Sequence, residues 1–319
     1  MEEERRQELI KRLERDAEAG SSRCGQFLAT LDPLFRTQLY TTLLYERLER
    51  KMQLVEELHA ESGENWNQIF YLLYFRTLGD SQNQEAYLEL ARRVPYRIVL
   101  RERLTPHGIE AMLFGASGLL DLYPHDEYTL LLRREFTHLQ AKYQIEPMQV
   151  SDWSLHEIRP ANHPALRMAQ AAEFFRQDDF LFDRMLACHN EEEVERLFCI
   201  EANRYWRDHY VPAVRHANSR PKRLGVFKAH ILAINLVAML QFAYGSYTGK
   251  EYLRDQALTL LEKLPPEDNR YTRLWANRGL DPHDSFETQA LIQLSTVHCL
   301  KKGCRDCPVA RRISYELER

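Results

Sequence analysis

Between Leu224 and Tyr244 the chain reads LGVFKAHILAINLVAMLQFAY, and from Ala229 to Ala243 only His230, Asn235 and Gln241 interrupt an apolar run. A helix that is apolar on every face has to be buried on every face, in a large core or in a membrane. The polar interruptions, and a length short of the roughly 20 residues a bilayer requires, favour the core. The stretch is therefore predicted to be the central helix of a compact, multi-helix all-α domain. Asn235, set among Ile234, Leu236 and Val237, is expected to be buried and hydrogen-bonded, since an unpaired buried amide costs about 1–3 kcal/mol.

The rest of the chain agrees with an all-α reading. Proline follows a capping residue at Asp32-Pro33, Thr105-Pro106 and Asp281-Pro282, where its missing N–H would be unpaired in any case. Apolar residues such as Phe35, Leu39, Leu43, Leu44, Leu48, Met52 and Val55 recur near helical spacing. A charged helix Glu191–Tyr210 is expected, and only residues 94–100 look strand-like. Gly115 and Gly118 would each cost a helix about 1 kcal/mol relative to alanine, a cost that close helix approach usually offsets. Residues 1–19 are charge-dense, with a thin stripe at Leu9, Ile10 and Leu13, and are expected to be exposed, frayed or cut off from something that packed on them. Two helical subdomains are expected, 1–150 and 151–319, the second carrying a cysteine-containing tail.

A chain of 319 residues with 44% hydrophobic and 28% charged residues has the composition of a soluble globular protein. Its formal net charge of −4 provides no global basic field to recruit nucleic acid and leaves room for a local basic face. No apolar run follows the opening MEEERRQELIKRLERDAE, so no signal peptide is expected. Six cysteines without an export signal then read as thiols or ligands in a reducing compartment. The expectation is a cytoplasmic protein with no membrane partner.

Two stretches could bind an anion. In residues 151–173 the prolines Pro160 and Pro164 stiffen a loop that enters a helix bearing Arg167 and Gln170 one turn apart. With Arg159 and Asn162, this group could grip phosphate or carboxylate at a helix N-terminus; a polar clamp between helices is the plainer reading. Arg159 and Arg167 are expected to face one shared acidic group, either an internal carboxylate or a bound anion. The segment 216–223, HANSRPKR, preceded by Arg215, adds Lys222 and Arg223 as candidate contacts to a phosphate backbone. Glu135 and His138 form half of a di-iron helix motif without its second copy, and His138 reads as an ordinary surface or capping histidine. No glycine-rich phosphate loop, nucleophile elbow or His-Glu-x-x-His site is present. No catalytic residue is assigned.

The tail carries His298, Cys299, Cys304 and Cys307, spaced Cys-x4-Cys-x2-Cys. Three thiols and a histidine are chemically acceptable to zinc, but adjacent side chains on a helix diverge by about 100°. An iron–sulfur cluster normally takes four thiolates. On these residues alone no cofactor is favoured, zinc remains allowed and a cluster is not expected.

The tail resembles the iron–sulfur loop that ends endonuclease-III-type DNA glycosylases, spaced Cys-x6-Cys-x2-Cys-x5-Cys. Here the first gap is two residues shorter and Ile313 stands at the fourth position. A broader resemblance rests on EAMLFGASGLL, RPANHPALRMAQAAEF, LPPEDNRYTRLW and SFETQALIQLSTVHCLKKGCRDCPV, in that order. They resemble the bacterial family called domain of unknown function 2851. That resemblance implies a further amino-terminal part with a GlyProAspPhe…ValGluIleHis pattern, reminiscent of nuclease cores in which acids hold a divalent metal. This chain is expected to begin after that part. The functional expectation is a non-catalytic module that binds a protein partner or nucleic acid. The alternative is a nucleic-acid repair or processing enzyme, related to glycosylases or nucleases, with its catalytic part missing or degenerate.

Overall fold

The computed structural model describes residues 2–18 and 23–317, and they are predominantly helical. Two compact units are drawn from interleaved stretches, residues 1–54 with 249–319, and residues 55–248. The expected subdivision had placed a single boundary at residue 150.

In the unit 55–248, several helices are buried on nearly all sides. Trp66–Leu78 buries every residue from Ile69 to Phe75, and Gly108–Ala116 buries all of its residues. The first packs against Pro164–Arg176 through aromatic rings: Tyr74 stacks on Phe174 with centroids 4.7 Å apart, and Phe75 on Phe175 at 5.7 Å. Such offset pairs add about 0.5–1.5 kcal/mol beyond the area they bury.

The apolar stretch anticipated as the central helix runs from Val226 to Thr248, with a π-helical turn at Ala233–Val237. At 23 residues it is long and apolar enough to cross a membrane, so the expected shortness does not hold. It is mostly buried. Asn235 is half-buried, not buried, and its Nδ2 donates to the Ile231 carbonyl on its own helix at 3.1 Å. The fully buried amide is Gln241, whose Nε2 donates to the carbonyls of Leu186 and Cys188 at 3.0 and 2.7 Å.

At two places the secondary structure differs from that expected. Residues 94–100 include the start of the helix Tyr96–Arg101, which follows Pro95 and buries Tyr96, Ile98 and Val99. The charged helix from Glu191 ends at Phe198. A 3-10 turn Arg204–Asp208 and a short hairpin of His209–Val211 with Val214–Arg215 follow it, antiparallel with His209 opposite Arg215. Propensity is overridden here because Trp206 is buried and its indole is anchored on Glu110.

Gly115 has the expected packing role. A Cβ built on it would lie 2.0 Å from Cγ of Phe136, on the neighbouring helix Glu127–Tyr143. Gly118 has φ +73°, and a Cβ there would meet the Met148 carbonyl oxygen at 2.5 Å. We expect Gly115→Ala to destabilise by about 1–3 kcal/mol through overpacking, although alanine is the better helix former. Urea unfolding of Gly115→Ala, alone and with Phe136→Leu, tests this: partial recovery in the double variant is expected, and a neutral single variant would refute the packing role.

In the other unit, Glu2–Glu18 is docked: Leu13 is buried, and the helix packs on Arg23–Thr30 and Pro308–Leu317. Ser285–Gln293 is the hub, meeting Glu251–Lys263 and Arg270–Ala276. Asp284 caps it by accepting from the Glu287 N–H at 2.8 Å, which satisfies one otherwise unpaired helix donor. It runs on into a π-helical segment, Leu294–Cys299. The Trp275 indole donates to Ser295 Oγ at 2.7 Å, tying that segment to its neighbour.

Candidate functional site

An open cavity of about 970 Å³ lies in the unit 55–248. Five of the seven residues singled out for binding line it: Asn162, Arg167, Gln170, Lys222 and Arg223. Arg159 and Arg215 do not; both are exposed, and Arg215 faces Asp208 at 3.8 Å. The expectation that Arg159 and Arg167 share an acidic group is therefore wrong. Arg159 precedes the 3-10 turn Pro160–Asn162, and that turn leaves its side chain in solvent while Arg167 enters the interior.

The loop is built around His163. Its Nδ1 accepts from the Ala165 N–H at 3.2 Å, capping Pro164–Arg176, and its Nε2 meets the Tyr123 hydroxyl at 2.9 Å. An Nδ1 lone pair used as a cap requires the neutral ring, and burial pushes His163 down to about 4. Trp153 fixes the other side of the loop, donating to the Ser117 carbonyl at 2.9 Å.

Arg167 is 6% exposed. It donates to Gln170 Oε1 at 3.0 Å and to Asn162 Oδ1 at 2.8 Å. Both acceptors are neutral amides, and its Nε has no hydrogen-bond partner among the described residues. Burial lowers its pKa, and the Asp80 carboxylate opposes the shift. Gln170 in turn donates to the Lys222 carbonyl at 3.2 Å, joining the two predicted stretches.

Lys222 is 5% exposed; its Nζ donates to the Arg207 carbonyl at 2.7 Å and sits 4.4 Å from the Tyr210 ring centroid. Arg220 donates to the Tyr210 hydroxyl at 3.1 Å, which lowers the phenol's pKa. Among the described residues, none of Arg167, Arg220 and Lys222 makes an ion pair with a carboxylate. Arg196 and Arg223 do, with Glu192 at 2.7 Å and Glu201 at 3.8 Å.

Lys228, 3% exposed, is the cation at the floor. It donates to Asp80 Oδ1 at 2.6 Å and to the Thr77 carbonyl at 2.7 Å. Burial pushes it down to about 8, with Asp80 opposing the shift. The helix Val226–Thr248 begins at the cavity without a side-chain cap on its first turn, and such a terminus favours negative charge. The ionic lining is thus Arg167, Arg196, Arg220, Lys222, Arg223 and Lys228 against Asp80 and Glu195.

On the same side, His230 Nε2 lies 3.1 Å from Glu195 and 3.2 Å from Glu191. These three are the one set of His, Cys, Asp or Glu among the described residues whose ligand atoms all fall within 4.8 Å of one another.

Sequence reading missed Glu110. It is buried in the otherwise apolar run of Gly108–Ala116 and accepts from Tyr128 and Trp206, each at 2.7 Å, and from Asn203. Burial outweighs these donors and pushes it up to about 7. A lone acid inside GIEAMLFGA was the available signal. The metal candidates His298, Cys299, Cys304 and Cys307 lie in the other unit, where they line one small cavity together with Cys24. Burial raises Cys299 to about 12 and Cys307 to about 11.

Fold and cavity together define an all-α protein with a locally cationic recess on a chain of net negative charge. The chain belongs to the family described as protein of unknown function (DUF2851), whose model matches residues 2–270. The matched region holds the whole cationic cavity and stops before Cys299. No curated protein and no solved structure matches the chain, and the tail's likeness to the glycosylase loop finds no counterpart there.

Proposed function

We propose that this protein binds single-stranded nucleic acid in the cationic cavity, one phosphate meeting Arg167 and the uncapped start of Val226–Thr248. The observation that carries this reading is Arg167: a buried guanidinium held only by amide oxygens, with Nε unpartnered. Burying a charge without a counter-charge in contact is costly; Asp80 acts on Arg167 only at a distance, and a phosphate oxygen would supply the missing acceptor and a contacting charge together. Arg220 and Lys222 extend the positive lining without carboxylate partners, and Phe227 stands 65% exposed at the cavity wall, a surface on which an unpaired base stacks.

Fluorescence anisotropy with labelled single-stranded DNA and RNA, against the matching duplexes, tests this. The double variant Arg220→Gln/Arg223→Gln removes two exposed cations, so the fold is retained. It is expected to weaken single-strand binding at least tenfold at low salt. The slope of log K against log salt should fall by about 0.7 for each phosphate that is no longer neutralised. Affinity and slope both unchanged would refute the reading.

A second reading, a processing enzyme, is favoured only by the Glu191–Glu195–His230 set, because Glu195 also lines the cavity. Divalent-metal-dependent cleavage of the bound strand, abolished by Glu195→Gln with binding intact, would support it.

A further inference from the structure

The cavity beside the tail is small, about 160 Å³, and four of the six cysteines line it: Cys24, Cys299, Cys304 and Cys307. The tail by itself offered three thiols, with Ile313 where a fourth was sought. The fold supplies the fourth from the helix Arg23–Thr30. Gly25 permits the approach: a Cβ there would lie 2.8 Å from Cβ of Arg278, which lines the same cavity. Aromatic and aliphatic side chains, Trp275, Leu294 and Val309 among them, close the surroundings.

The backbone between the tail thiols is already set in turns. The Lys302 N–H donates to the Cys299 carbonyl at 3.2 Å and the Gly303 N–H to that of His298 at 2.8 Å; the Cys307 N–H reaches the Cys304 carbonyl at 3.3 Å. The N–H groups of Val309 and Ala310, at the start of Pro308–Leu317, face the Cys307 sulfur. His298 is engaged elsewhere, its Nε2 lying 3.1 Å from Glu46 Oε2.

The geometry points to a [4Fe–4S] cluster held by Cys24, Cys299, Cys304 and Cys307. Four thiolates are what such a cluster takes, and here they surround a cavity instead of meeting at a point. A tetrahedral zinc with bonds of about 2.3 Å would draw its sulfurs to about 3.8 Å from one another. Among the described residues no three thiols come within even 4.8 Å of one another, a wider spacing than the sulfurs of a tetrahedral zinc site have. Loading from ferrous and ferric iron with sulfide replaces four S–H bonds by four Fe–S bonds and releases four protons. The [4Fe–4S]²⁺ core with four thiolates then carries a charge of −2. Arg278, stacked on Trp275 at 5.0 Å with its Nε unpartnered among the described residues, offsets part of it. Bridging the first helices to the tail, the cluster would be a covalent tie across more than 270 residues of sequence.

The test uses the full chain, purified without oxygen or reconstituted with iron and sulfide. Four irons and four acid-labile sulfides per chain are expected, with sulfur-to-iron charge-transfer absorption in the visible. Cys24→Ser should lose at least half of the iron, while Cys188→Ser, which lies in the other unit, keeps all of it. Circular dichroism separates loss of ligand from loss of fold. If Cys24→Ser does not fold, Cys304→Ala replaces it. Stoichiometric zinc in place of iron, full iron retention in the folded Cys24 variant, or a reconstituted wild-type chain with no iron would each overturn the assignment.

Discussion

Replacing Glu110 by glutamine is expected to remove a loss of stability that the wild-type protein suffers as pH rises from about 4.5 to about 7. Burial raises this carboxyl from 4.5 to about 7 in the folded state. Between those values the native chain holds a proton that the unfolded chain has released, so stability falls as pH rises, then levels off. The full effect is roughly 3 kcal/mol, at about 1.4 kcal/mol per pH unit between the two values. His163 acts in the opposite sense. Its folded value is lowered from 6.5 to about 4, so its contribution is present above 6.5 and is lost as pH falls toward 4. The two partly cancel in the wild type, and the difference between the Glu110→Gln and wild-type curves isolates the acid. Urea midpoints from pH 4 to 8 measure it; parallel curves would show that Glu110 does not titrate in this window. Glutamine also supplies one carbonyl oxygen in place of two carboxylate oxygens to Tyr128, Trp206 and Asn203, so a pH-independent loss should accompany the flattening.

Asp80→Ala is expected to destabilise the protein by about 3–5 kcal/mol, toward the lower end. Lys228 is buried with its Nζ 2.6 Å from Asp80 Oδ1. Removing the carboxylate leaves an ammonium in the interior with only the Thr77 carbonyl as partner. The lower end applies because the Asp80 side chain is 45% exposed, and water screens the pair. Asp80 also has φ +50°, a conformation asparagine tolerates better than alanine, so Asp80→Asn separates charge from backbone strain. Adding Lys228→Met to Asp80→Asn should recover part of the loss, because it removes the buried ammonium that Asp80→Asn leaves without its counter-charge. Denaturation at pH 7 reads all three variants, and an Asp80→Asn protein as stable as wild type would dismiss the ion pair as a stabilising element.

Residues close in sequence were the readable ones. The burial of Ala229–Ala243 followed from its composition, because a run apolar on every face admits few environments in water. The grouping of Asn162, Arg167 and Gln170 followed from helical spacing and two prolines, both local properties. Gly115 declared close packing because glycine costs a helix stability that something else must offset. Arg159 looked equivalent to Arg167 because one-dimensional spacing does not report on which side of a 3-10 turn a side chain leaves the backbone.

What the tertiary structure alone decided are the meetings of distant residues. Gln170 and the Lys222 carbonyl are 52 positions apart, and their bond turns two separate basic stretches into one cavity. Glu110 is an ordinary glutamate until Trp206, 96 positions away, closes over it; its raised pKa belongs to that enclosure. Cys24 is an isolated thiol in sequence, and only the packing of Arg23–Thr30 carries it to Cys299, Cys304 and Cys307. Helix formation and amphipathic pattern arise from neighbours within about four positions. Desolvation, charge pairing and ligand geometry depend on whatever the folded chain brings within a few ångströms, and sequence spacing does not encode that distance.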